Sequence, residues 1–72
     1  MNFYDHLLQE RDEVRNRINS LSFFIKVAPR YKELSNSHKS LLNKQLYYMR
    51  KYLNILDLRI DLLEKEGLNN DD

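Results

Sequence analysis

The chain has 72 residues, no cysteine, one glycine and one proline, and 32% of its residues are charged, with a formal net charge of +1. That length holds one small domain, which buries only about 60% of the surface its unfolded chain exposes and depends on extra support. Disulfides and thiolate metal sites are excluded, the two histidines His6 and His38 are too far apart to suggest a zinc site, and oligomerisation is the support that is left.

The first segment is expected to be a helix over about residues 3–27. Tyr4, Leu7, Arg11, Val14, Ile18, Leu21 and Ile25 recur at spacings of three and four, an apolar stripe with Arg11 inside it. Asn2 is the expected N-cap. Glu10 and Glu13 are placed to support Arg17 by helical spacing. The Phe23-Phe24 pair is expected to thicken the stripe near its end. An arginine within an apolar stripe needs an acidic partner, an anionic ligand or an exit to water along its own stem. Met1 to Arg11 carries acids and lacks a long apolar core, which argues against a signal peptide.

Pro29 ends the first helix because it lacks an N–H and pushes Ala28 out of helical geometry. A turn is expected over residues 28–37, with room for one helical turn between Arg30 and Leu34. Ser35 or Ser37 is the expected cap of the next helix.

The second helix is expected over about residues 38–66, closed by Gly67 as the left-handed residue past its end. It carries two seams. Leu42, Leu46, Met49, Leu53, Leu56, Ile60 and Leu63 follow the a/d pattern of a helix packed along a partner helix. A second stripe, Leu41, Tyr48, Tyr52, Ile55 and Leu62, is interrupted by Gln45 and Arg59. The fold class is therefore all-α: an antiparallel helical hairpin over residues 1–68 that oligomerises into a bundle through the second stripe, followed by a disordered acidic tail over residues 69–72. Charge is unevenly placed. Residues 24–51 hold seven basic and one acidic residue, whereas residues 52–72 hold two basic and six acidic, so the turn end is basic and the open end acidic. Those opposite ends favour antiparallel pairing of hairpins.

No glycine-rich phosphate loop, paired-histidine motif or cysteine nucleophile is present, so the chain reads as a binding protein, not an enzyme, with no metal and no cofactor. Cations and rings on rigid elements are what an anionic, base-bearing ligand requires. The candidates are Lys26, Arg30, Tyr31 and Lys32 at the turn, and Gln45, Tyr48, Tyr52 and Arg59 along the second stripe. At the second-stripe positions, apolar residues would seal an interface better; polar ones set register or line a pocket between protomers. A duplex-binding role would call for a larger positive charge. No apolar run approaches the ~20 residues of a membrane span.

The stretch Leu41-Leu42-x-x-Gln45-x-x-x-Met49-x-x-Tyr52-Leu53-x-x-Leu56-x-x-Arg59-Ile60, with the upstream run Glu10-Arg11-x-Glu13-x-x-x-x-Ile18-x-x-Leu21-x-x-Phe24-Ile25, covers most of the chain. It resembles short helical-hairpin proteins of tailed phages, similar to the anti-CBASS and anti-Thoeris sponges directed against bacterial immunity. The resemblance implies a homo-oligomer in the host cytoplasm that sequesters a cyclic oligonucleotide or cyclic ADP-ribose-type signal between protomers without cleaving it. The alternatives are a helical protein-interaction module that inhibits a host or phage protein, and a structural phage bundle protein.

Overall fold

The computed structural model describes residues 2–67. Three helices follow in order: α1 (Phe3–Val27), α2 (Pro29–Lys32) and α3 (Asn36–Lys65). No strand occurs among the described residues. The long helices α1 and α3 pack side by side as a hairpin measuring 49 × 17 × 14 Å. The acidic tail expected over residues 69–72 lies outside the described residues.

Each helix boundary has a local cause. The Asn2 side chain accepts from the Asp5 N–H at 2.8 Å, which satisfies one of the orphan donors of the first turn of α1. Ala28, before Pro29, has φ −73° and ψ 126°, and this extended residue stops α1 while Pro29 opens α2 as its first residue. Ser35 caps α3 by accepting from the His38 N–H at 3.1 Å. Because Ser35 and not Ser37 is the cap, α3 starts at Asn36, ahead of the His38 start read from the sequence. Gly67 has φ +74°, in the left-handed region that ends a helix at low cost for a residue without a Cβ.

The core is thin. Leu7, Val14 and Ile18 of α1 are buried against Leu46, Leu56 and Ile60 of α3. Tyr4, Leu8, Leu21, Ile25, Met49, Leu53 and Leu63 close around them, half-buried. Phe23 does not join this core and is exposed, contrary to the expectation that the Phe23-Phe24 pair would thicken the stripe. Successive helical residues point about 100° apart, so only Phe24 faces inward, where its ring meets Tyr31 edge-on at 6.1 Å. The second stripe of α3 has no covering: Leu41, Tyr48, Tyr52, Ile55 and Leu62 are all exposed.

Candidate functional site

The antiparallel register sets which polar groups meet across the hairpin, and it divides them between two flanks. On the first flank, Arg59 of α3 lies over the Phe3 ring at 5.9 Å. Tyr52 donates its hydroxyl proton to the Glu10 carboxylate. One step closer to the turn, Asn16, Arg17, Ser20 and Leu21 of α1 and Gln45 and Met49 of α3 line a groove of about 440 Å³. Its floor is apolar, from Leu21 and Met49, and its walls carry two amides, a hydroxyl and a single charge, that of Arg17. Glu10 and Glu13 do not pair with Arg17: Glu10 is engaged by Tyr52, and Glu13 accepts from Gln9 at 3.5 Å. Arg17 therefore has no carboxylate partner among the described residues. Gln45 makes only a weak 4.0 Å contact to the Met49 sulfur, which leaves its amide available to a ligand.

The opposite flank is ionic. Arg11 donates from Nε to Asp12 at 2.7 Å and approaches Asp57 of α3 at 3.6 Å, so the arginine of the apolar stripe is matched by acids. Its hydrogen bond to Asp12 is the largest influence and holds the guanidinium charged, against a smaller opposing effect of burial. Tyr4 donates to Glu64 at 2.5 Å. Between these pairs lies a second groove of about 620 Å³, also lined by Arg15 and Asp61. The hydrogen bond to Glu64, more than desolvation, raises the Tyr4 pKa above the ordinary tyrosine value, because the carboxylate favours the protonated phenol. A pKa raised on folding means that Tyr4 contributes stability below the ordinary tyrosine range and loses it as pH rises through the folded value. Tyr4→Phe is therefore expected to lower stability near neutrality, where that contribution is fully present, and to flatten the alkaline limb of a pH–stability curve above about pH 10. Ultraviolet titration of the phenols, followed with thermal melts, checks this.

The eight candidate ligand residues read from the sequence fall into three groups. Lys26 ends α1, and Arg30, Tyr31 and Lys32 belong to α2, at the turn. Tyr31 acts there as a clasp: its ring meets Phe24, Lys39 lies 5.5 Å from its centroid, and its hydroxyl accepts from Asn43 at 2.8 Å. Gln45, Tyr48 and Tyr52 sit in the middle of α3, and Arg59 is near the open end. Gln45 and Arg59 are separated by about 21 Å of helix, so one copy of the chain does not bring all eight together. Of the eight, Gln45 alone lines the first groove. Its other polar lining, Asn16, Arg17 and Ser20, was missed in the sequence, as were Arg15 and Asp61 of the second groove. The helical spacing of Arg17 to the apolar stripe marks it as flanking, yet only the pairing register shows what it faces.

Among the described residues no group of His, Asp and Glu is arranged to hold a metal ion, and no helix is long and apolar enough to cross a membrane. Residues 1–62 match the family model described as Sequestin. No curated protein and no solved structure matches the chain.

Proposed function

Because the chain belongs to the Sequestin family, whose name denotes sequestering, we propose that it is a phage-encoded, non-enzymatic protein that holds a nucleotide immune signal in the host cytoplasm and so counters host defence. The signal is of the cyclic oligonucleotide or cyclic ADP-ribose type. The observation that carries this reading is the Arg17–Gln45 groove. Among the described residues Arg17 is a cation without an acid, which leaves it to a phosphate, and arginine's planar fork suits phosphate oxygens. The amides of Asn16 and Gln45 both donate and accept, as the edge of a base requires, and Leu21 and Met49 offer apolar surface to its face.

The groove is open in a single copy, and Gln45 shares its stripe with the exposed Tyr48, Tyr52 and Ile55. A second copy docked on that stripe would roof the groove and lend it rings. In an antiparallel pair the basic turn of one protomer, with Lys26, Arg30 and Lys32, would lie near the acidic open end of its partner. The exposed stripe also favours a second reading, in which it grips a host or phage protein and inhibits it, or serves a structural phage bundle.

Calorimetry against cyclic di- and trinucleotides and cyclic ADP-ribose isomers tests the first reading. It should show saturable binding tighter than roughly 10 μM, about −7 kcal/mol, with the ligand recovered intact after heat release. Arg17→Ala and Gln45→Ala should each weaken binding about tenfold, a loss of ~1.4 kcal/mol. Arg59→Ala should disturb assembly or capture more than Arg50→Ala. No binding across the panel, or recovery of a cleaved ligand, would overturn it.

A further inference from the structure

The two grooves have opposite electrostatic preferences, and the second is not explained by capture of a nucleotide. Its charged lining is Arg11 and Arg15 on α1 against Asp57, Asp61 and Glu64 on α3, a balance of −1 that disfavours a polyanion. Arg11 and Asp57 face each other at its middle. Arg15 lies one helical turn from Arg11 toward the hairpin turn, and Asp61 lies one turn from Asp57 toward the open end, because the helices run antiparallel. Neither Arg15 nor Asp61 has an ion-pair partner among the described residues. An unpaired cation thus stands toward the turn end of the groove and an unpaired carboxylate toward its open end, about 12 Å apart along the axis at four residues, or ~6 Å, each way, with the bonded Tyr4–Glu64 pair beyond Asp61. Apolar Leu8 and Leu58 lie in the lining between them.

We propose that this groove is a second binding site, for a zwitterion that carries one carboxylate and one ammonium at the ends of an extended apolar spacer, as in an ω-amino acid or a short apolar peptide. The guanidinium of Arg15 takes the carboxylate in a fork-to-fork pair. The carboxylate of Asp61 takes the ammonium. Leu8 and Leu58 cover the spacer, and the Arg11–Asp57 pair stays closed beneath it. The site is independent of the nucleotide groove, which lies on the other flank.

The test uses the full chain and three probes of equal length: 8-aminooctanoate, octanoate and octylamine, titrated by NMR. Aminooctanoate should bind saturably in the millimolar range and about tenfold more tightly than octylamine, with shifts centred on Arg15 and Asp61, while octanoate should be weakest. Arg15→Gln should erase the advantage of aminooctanoate over octylamine. Asp61→Asn should weaken both amines about tenfold. Both residues are exposed, so the fold should persist in each variant, and circular dichroism checks it. Octanoate binding as tightly as aminooctanoate, unchanged aminooctanoate binding in both variants, or no saturation by about 10 mM would each overturn the proposal. Both variants should retain nucleotide binding. Failure of the zwitterion site therefore leaves the nucleotide reading untouched, and a silent nucleotide panel leaves the zwitterion site standing.

Discussion

Leu56→Ala is expected to remove about half of the hairpin's stability. Leu56 is 0% exposed and is the most deeply buried side chain among the described residues. Truncating a buried leucine costs roughly 2–5 kcal/mol, because the lost transfer energy is joined by the cavity left behind. A chain of this size has about 4–10 kcal/mol of stability in total. Its few buried side chains come from two helices alone, so little surrounding structure is available to relax into the hole. The melting temperature by circular dichroism should fall by at least about 10 °C. Leu56→Met, which conserves volume, should cost less than ~1.5 kcal/mol. Leu58→Ala is the control: Leu58 neighbours the core in sequence but is 59% exposed, and its loss should barely move the melt. A Leu56→Ala melt within a degree or two of the parent would mean that the helices are not held by this seam.

The second large effect concerns the uncovered stripe. Tyr48 and Ile55 are 64% and 53% exposed and lie two helical turns apart on one face of α3. Neighbouring exposed apolar side chains on one face are a feature of partner-binding surfaces, and this stripe is the pairing face proposed above. The double variant Tyr48→Glu with Ile55→Glu should leave the far-ultraviolet spectrum unchanged, since neither residue belongs to the core. It should weaken self-association at least about a thousandfold. In a symmetric pair each change counts twice, and roughly 1 kcal/mol per lost site over four sites gives that factor. Sedimentation equilibrium should show the parent chain above its 8.8 kDa protomer mass and the variant at it. On the proposed pairing, nucleotide capture should fall with assembly, because a second copy would no longer roof the Arg17–Gln45 groove. A parent chain that sediments as a protomer at high concentration would instead give the stripe to a different protein.

The heptad spacing on each long helix was sufficient to expect α1 and α3 and to name their buried faces, because apolar periodicity and helical geometry are both local. The same holds for the caps: Asn2, Pro29, Ser35 and Gly67 each act on backbone groups within a few residues. Arg11 is intermediate. Its place within the stripe called for a partner, and spacing alone does not say that Asp57, forty-six positions on, would help to supply it. The grooves were illegible for the same reason. Arg17 and Gln45, or Arg15 and Asp61, come to line one groove only through the axial register of one helix on the other.

From the order of its residues alone this protein was bound to be two amphipathic helices joined at a proline, with one apolar stripe more than a lone hairpin can bury, because those features depend on spacing along a single helix. The tertiary structure alone decided that Tyr52 meets Glu10, that Phe3 meets Arg59, and that the groove on one flank is lined by the cation of Arg17 while the other sets cation against carboxylate. A shift of one helical turn between α1 and α3 would preserve every local pattern and exchange all of these neighbours, so pairing across the hairpin, not the pattern on either helix, creates the grooves.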